Sequence, residues 1–221
     1  MALTDEQIKK DIVDELSWDT RIDASKVSVT VDDGIVKLSG EVPSYRDIVA
    51  ARDIAWSIPG VIDLKDDLLA TYPSPPEIPT DLEIERRANE TLIWDTALDE
   101  TKVKASVTDG MVTLKGTVDT HWKKTYAEDR IYGIRGVIAI DNQLAVVPTK
   151  TYLDESVAED VVSAIDRDLL VDVNQVTVQV TDGVVKLSGT VPSWTMLTAA
   201  EEDASRTAGV IDVQNELRIA A

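Results

Sequence analysis

The sequence predicts an α+β fold: three tandem small α-β-β-α-β domains, each with two helices packed on one face of a three-stranded mixed sheet. Three observations carry this. An Asp-Gly pair recurs at Asp33-Gly34, Asp109-Gly110 and Asp182-Gly183, so that its glycines stand 76 and 73 residues apart. A second glycine follows six residues after each pair, at Gly40, Gly116 and Gly189. A third, always before valine, follows twenty residues later at Gly60, Gly136 and Gly209. Landmarks at fixed offsets in three places mark internal repeats, and repeats set the domain count.

Each copy opens with a helix. Thr4, followed by Asp5, Glu6 and Gln7, suits an N-cap with acids in the first turn. Ile8, Ile12 and Leu16 then recur every four residues, as one buried helical stripe does. The matching stripes are Ile84, Ala88, Leu92 and Val157, Val161, Ile165. Val27, Val29 and Val31 alternate as a half-buried strand. The Asp33-Gly34 pair suits a type I′ hairpin, in which both central residues need positive φ. That turn sets the register: 31 opposite 36, 29 opposite 38, 27 opposite 40. The core face of the second strand is then Val36, Leu38, Gly40 and Val42, with Gly40 leaving room for a close helix.

Pro43-Ser44 opens a second helix with an expected buried face of Tyr45, Val49, Ala51, Ala55 and Ile58. Gly60, Gly136 and Gly209 are read as its C-terminal left-handed caps, and Gly34, Gly110 and Gly183 as turn glycines. The closing strand is clearest in the later copies, as Ile138, Ile140, Asn142, Leu144, Val146 and as Ile211, Val213, Asn215, Leu217, Ile219. A helical crossover joins it to the hairpin's second strand, so those two pair in parallel.

Residues 72–79 contain four prolines and read as a stiff, extended linker. The expected division is a first domain over 1–71, this linker, a second domain over 80–147, a short linker over 148–152 and a third domain over 153–221.

The ordered set of Asp-Gly hairpin, glycine six residues on, small-residue second helix (Ala51 with Ala55), Gly60-Val61 and a closing strand of the form Val-x-Asn-x-Leu resembles the BON domain of bacteria. Copy one departs with Asp66 in place of the Asn, and copy two with Asp119-Thr120 in place of Pro-Ser and with Tyr132-Gly133 inside the second helix. The resemblance implies non-covalent binding rather than catalysis. The family includes osmotically induced periplasmic proteins, outer-membrane lipoproteins that bind anionic phospholipid and a cytoplasmic potassium-binding protein. It also appears in pore-forming and channel-associated proteins.

Composition narrows the chemistry. There is no cysteine and one histidine, so thiolate metal sites, disulfides and cysteine nucleophiles are excluded. No P-loop, dinucleotide fingerprint or His-Glu-x-x-His motif is present. No catalytic residue and no cofactor is expected, and metal ligands stay unassigned. His121 replaces an aromatic, since Tyr45 and Trp194 stand at its position in the other copies. Asp32-Asp33 and Asp63, Asp66, Asp67 lack calcium-loop spacing and read as turn and solvated residues. The net charge of −19 gives no basic footprint for nucleic acid. No apolar run is long enough for a transmembrane segment. With no basic and apolar leader at Met1–Gln7, the expected location is cytoplasmic as written, or periplasmic where a leader has been removed.

Three residue sets remain. Asp66, Asn142 and Asn215 fall on the predicted core face of the last strand, where a polar group must be hydrogen-bonded, and are read as structural ties. Trp18 and Trp94 follow the first helix in copies one and two, where copy three has Arg167. With Trp194 they are candidates for a ligand or interdomain surface, the favoured reading of Trp18 and Trp94 being packing over a core edge or a neighbouring domain. Tyr45, His121 and Trp194 are expected to cap the second helix against the hairpin. The leading functional expectation is a non-enzymatic, stress-associated binding protein for a monovalent cation such as potassium. The alternatives are a phospholipid-surface module and an adaptor for an envelope or other protein. Oligomeric state is left open.

Overall fold

The structure is a computed structural model that describes residues 3–20, 22–71, 79–98 and 102–220. Most of the expected proline-rich linker, 72–78, lies outside the described residues.

Copy one runs α1 (Asp5–Trp18), β1 (Val27–Asp32), β2 (Ile35–Val42), α2 (Tyr45–Ser57) and β3 (Asp63–Ala70). Copy two runs α3 (Asp81–Ile93), β4 (Val103–Thr108), β5 (Met111–Val118), α4 (His121–Ile131) and β6 (Ala139–Val146). Copy three runs α5 (Asp154–Arg167), a 3-10 turn at Val173–Gln175, β7 (Val176–Thr181), β8 (Val184–Val191), α6 (Trp194–Arg206) and β9 (Asp212–Ile219). Each sheet has its hairpin pair antiparallel and its crossover pair parallel, with β2, β5 or β8 in the centre. The fold is therefore three α+β repeats, each with two helices against a three-stranded mixed sheet.

Local chemistry sets the element ends. Thr4 and Gln7 form a reciprocal capping box at α1, and Thr80 with Glu83 repeats it at α3. Leu153 leaves α5 without a side-chain cap. Asp33 and Gly34 have φ of 49° and 75°, the pair of positive values that a type I′ turn requires. The register follows: Val31 faces Val36, Val29 faces Leu38 and Val27 faces Gly40. Val36, Leu38 and Val42 are buried under α1 and α2, and Ile8, Ile12 and Leu16 supply the stripe that covers them.

Each hairpin turn is also held from the first helix. The Asp5 carboxylate accepts from the N–H groups of Asp33 and Gly34 at 2.9 and 3.0 Å. Asp81 does the same for Asp109 and Gly110 at 2.8 and 2.9 Å, and Asp154 for Asp182 and Gly183 at 2.8 and 2.9 Å. A carboxylate in the first turn of a helix so fills two roles, balancing the helix dipole and satisfying two turn donors.

Three expectations need correction. The buried face of α2 is Ile48, Ala51, Ile54 and Ala55, with Val49, Tyr45 and Ile58 only half-buried. The stripe is rotated toward Ile48 and Ile54 because the helix packs chiefly on β3, with β2 and α1 beside it. Gly60, Gly136 and Gly209 do not cap the second helices: α2 ends at Ser57, α4 at Ile131 and α6 at Arg206. These glycines lie beyond, in a loop that meets the hairpin turn, where the Ile62 N–H donates to the Gly34 carbonyl at 3.0 Å. The close neighbour of Gly40 is not a helix but the chain entering β1. A Cβ there would stand 2.1 Å from the Lys26 carbonyl oxygen, and 1.7 Å from that of Lys102 at Gly116.

Candidate functional site

The polar residue of each closing strand ties that strand to the second helix. Asn142 donates to the Lys124 carbonyl at 2.7 Å and to Glu128 at 3.4 Å, and Asn215 donates to Glu201 at 2.9 Å. In copy one both partners change together: Asp66 lies 3.8 Å from Arg52, which occupies the position of Glu128 and Glu201. An Asn–Glu pair has become an Asp–Arg pair, which preserves complementarity at a half-buried contact. All three also accept from the backbone N–H two residues on, at 2.9, 3.3 and 3.1 Å.

Tyr45 and Trp194 pack against the cores of their own domains, as expected of them, but Tyr45, His121 and Trp194 do more than that. Each is the first residue of a second helix and reaches into another domain. The Tyr45 N–H donates to the Val137 carbonyl of copy two at 3.3 Å, and its ring packs against the core of that domain. The Nδ1 of His121 lies 3.1 Å from the Ile211 carbonyl of copy three, so the Nδ1-protonated ring donates there. The Trp194 indole stacks on Trp56 of copy one, with centroids 4.0 Å apart and planes at 5°. Ile62 and Asp63 of copy one join these two rings in lining a cavity of about 530 Å³. Val137, Ile211 and Ile62 belong to the same loop of their respective repeats, the one that carries the Gly-Val landmark. The three contacts thus run one way, first domain to second, second to third and third to first, and close a ring. The second helices meet in this ring, α6 against both α2 and α4.

Electrostatics reflect that convergence. The Asp129 carboxyl is held above its usual range by loss of hydration and then by the carboxylates of Glu202 and Asp53. Those three residues hold one equivalent position on α4, α6 and α2. Glu128 is also raised, chiefly by burial, against a hydrogen bond from Asn142 that lowers it. Burial and Glu128 together raise the Tyr45 phenol across the first seam.

Trp18 and Trp94 pack over neither a core edge nor a neighbouring domain. They are 81 % and 83 % exposed, and in copy three the same end of the first helix presents Leu169, also fully exposed, and Leu170. Trp94 adjoins a cavity of about 520 Å³ lined by Arg87, Arg130, Arg135 and Ile134, with the Glu90 carboxylate among them. Arg130 reaches back to Asp95 at 2.8 Å; burial pushes the Asp95 carboxyl up, but hydrogen bonds from the Ala97 N–H and the Tyr126 hydroxyl, together with Arg130, hold it below its usual range. Sequence reasoning missed this arginine group because Arg87 and Arg130 are far apart in the chain and only the packing of α3 beside α4 joins them. The hairpin-holding carboxylates Asp5, Asp81 and Asp154 were legible in principle, since they share the spacing of the repeat.

Among the described residues, no group of three or more His, Asp or Glu side chains is placed to hold a metal ion. No helix among them is long and apolar enough to cross a membrane.

Comparison with known proteins agrees with this architecture. The BON domain family model matches residues 4–71, 80–148 and 153–221. A curated relative, osmotically-inducible protein Y of Escherichia coli strain K12, is 30 % identical over 126 residues, covering 56 % of this chain and 63 % of that protein. The C-terminal domain of CdsD, a structural protein of the type III secretion system of Chlamydia trachomatis, aligns over 99 % of this chain and all of that one. It does so at 14 % identity and a TM-score of 0.27. A second CdsD structure aligns at 14 % identity and a TM-score of 0.26, over 94 % of this chain and 90 % of that one. At such scores neither likeness bears on function. Three family matches along one chain, each coinciding with one α-β-β-α-β repeat, establish that this protein belongs to the BON domain family.

Proposed function

We propose that this chain is a non-enzymatic, osmotic-stress-associated binding protein that engages anionic phospholipid surfaces through the end of α3. The observation that carries the reading is Trp94, 83 % exposed beside a cavity where Arg87, Arg130 and Arg135 outnumber the lining carboxylate Glu90 and the Asp95 that pairs with Arg130. An indole suits the water–lipid boundary, and arginine forks suit phosphate oxygens. The net charge of −19 opposes approach to an anionic surface, but that repulsion is screened beyond about 10 Å at 0.1 M salt, whereas a contacting arginine is not. The name of the Escherichia coli relative supports the osmotic-stress association.

The test is co-sedimentation with vesicles of phosphatidylglycerol and, as control, phosphatidylcholine, across a salt series. The protein is expected to pellet with the anionic vesicles, and Trp94→Ala to weaken this about tenfold, the equivalent of about 1.4 kcal/mol. Absence of pelleting at every salt concentration, or equal pelleting of Trp94→Ala, discards the reading.

A second reading, binding of a monovalent cation, is favoured by the acidic balance and by the mutual repulsion of Asp53, Asp129 and Glu202. Melting in potassium, sodium and choline salts at equal ionic strength tests it. A bound ion stabilises by mass action, so potassium should raise the transition selectively. Superimposed curves reject this reading.

A further inference from the structure

The first strand of each repeat is an edge of its sheet. In a hairpin closed by a two-residue turn, the residues flanking the turn bond inward and alternate residues bond outward. The N–H and C=O groups of Ala105 and Val107 in β4, and of Val178 and Val180 in β7, therefore point away from their sheets. In copy two the first helix takes up these groups. The Asn89 Oδ1 accepts from the Ala105 N–H at 3.0 Å, and its Nδ2 donates to the Ala105 carbonyl at 2.8 Å. Glu85 accepts from the Val107 N–H at 3.2 Å. The Asn89 carboxamide so makes the two bonds that one residue of an antiparallel neighbouring strand would make. In copy three the equivalent positions on α5 are Val162 and Ala158, whose side chains cannot hydrogen-bond. Val162 is 40 % exposed, and Val178 is half-buried where its counterparts Ala105 and Val29 are buried. Among the described residues, no group bonds the outward N–H or C=O of Val178.

We propose that β7 is a docking edge for an extended segment of a partner protein, apolar at alternate positions and basic at both ends. The inference is independent of the lipid and cation readings. The edge sets the backbone: only an added strand presents amides at the spacing of Val178 and Val180. The helix sets the side chains. In copy two, Glu85 meets Val107 and Asn89 meets Ala105, so four residues forward on α3 match two residues back on β4. That is about 6 Å of helix against about 6.7 Å of strand, with the helix antiparallel to the edge. By the same offsets Ala158 stands at Val180, Val162 at Val178 and Asp166 at Val176. An added strand lays its helix-facing apolar side chains on Ala158 and Val162. Its next helix-facing residue meets Asp166 at one end, and Glu155 and Glu159 at the other. Those two precede Val162 by seven and three residues, on the same side of α5. All three carboxylates are exposed, and residues 154–166 include no Lys or Arg. Charge complementarity therefore selects a basic segment, and it disfavours a second copy of this chain, whose net charge is −19.

The probe is the capped peptide Lys-Thr-Val-Thr-Val-Thr-Lys, titrated into the full-length chain and followed by amide NMR and hydrogen exchange. In the free protein the Val178 N–H is expected to exchange about tenfold faster than the Ala105 N–H, and the peptide to slow it about tenfold. A peptide with Glu in place of both Lys residues is expected to bind about tenfold more weakly. Val162→Asn gives copy three the carboxamide of copy two. It is expected to slow Val178 exchange without peptide and to weaken peptide binding about tenfold. Val162 is exposed, and circular dichroism checks that the variant folds. The exchange comparison and the acidic peptide use the unaltered chain, so they decide the matter whatever the variant does to folding. No slowing of Val178 exchange at millimolar peptide, equal affinity for the acidic peptide, or undiminished binding by folded Val162→Asn overturns the proposal. Protection of Val178 that rises with protein concentration alone makes the occupant a second copy and overturns it as well.

Discussion

Replacing Asp81 by Ala deletes the carboxylate that holds the second hairpin. Two bonds are lost, to the N–H groups of Asp109 and Gly110 at 2.8 and 2.9 Å. A hydrogen bond to a charged acceptor contributes roughly 1.5–3 kcal/mol, and an exposed donor recovers much of that from water. The Asp109 N–H is exposed and the Gly110 N–H is partly buried, so most of the loss comes from Gly110. Adding the helix-terminus interaction of about 0.5 kcal/mol, the expected destabilisation of the second domain is about 2 kcal/mol. For a unit of this size that is a fall in melting temperature on the order of 10 °C. Urea denaturation followed by circular dichroism should show a lower midpoint at unchanged slope for the affected transition. Asp81→Asn keeps one acceptor oxygen and should lose about half as much. The equivalent substitutions Asp5→Ala and Asp154→Ala should act alike in their own domains. A midpoint for Asp81→Ala within 0.5 kcal/mol of the parent would show that the turn does not depend on the carboxylate.

Gly116→Ala places a methyl 1.7 Å from the Lys102 carbonyl at φ 129°, so the β4–β5 hairpin must separate. A loss of more than about 3 kcal/mol, seen as an unfolded second domain in amide-exchange or proteolysis, is expected. Asn142→Leu removes the amide donor from the Lys124 carbonyl and from one oxygen of half-buried Glu128, costing about 1–2 kcal/mol. It should lower the melting temperature while vesicle binding stays unchanged, and a parallel loss of binding would move this residue from tie to ligand. The Asp129 carboxyl is raised in the folded state, so the folded chain binds its proton more tightly than the unfolded chain does. Its contribution to stability therefore grows as pH falls through the folded value and is lost above it. Asp129→Asn should raise stability at neutral pH and flatten the pH dependence just above the usual carboxylate range, as read by urea midpoints from pH 4 to 8. An unaltered profile would mean that Glu202 and Asp53 do not face it.

The elements of each repeat were legible because the signals that made them are local. Asp-Gly has few backbone alternatives in a tight hairpin, and a strand's period of two then carries the register from Val31 and Val36 back to Val27 and Gly40. The same locality misled at Gly60. A glycine after a helix reads as its cap, whereas Pro59 precedes it and its left-handed backbone serves the contact between its loop and the hairpin turn. At α2 the sequence pointed to one stripe, Tyr45, Val49, Ala51, Ala55 and Ile58, whereas packing on the sheet beneath selects Ile48 and Ile54.

By itself, the sequence determined the number of repeats, the order of elements within each, the hairpin register and the absence of cysteine chemistry. Tertiary structure alone decided how the repeats meet. Tyr45, His121 and Trp194 were identified as equivalent but variable positions, and the reason for the variation lies in different domains: a Val137 carbonyl, an Ile211 carbonyl and a Trp56 ring. It also decided that Trp18 and Trp94 stand in solvent, and that Arg87 and Arg130 share a cavity with Trp94. The physical reason is common to all of these. A turn or a helical stripe is specified by neighbours a few residues away, whereas a seam depends on the shape of a surface that exists only after each domain has folded.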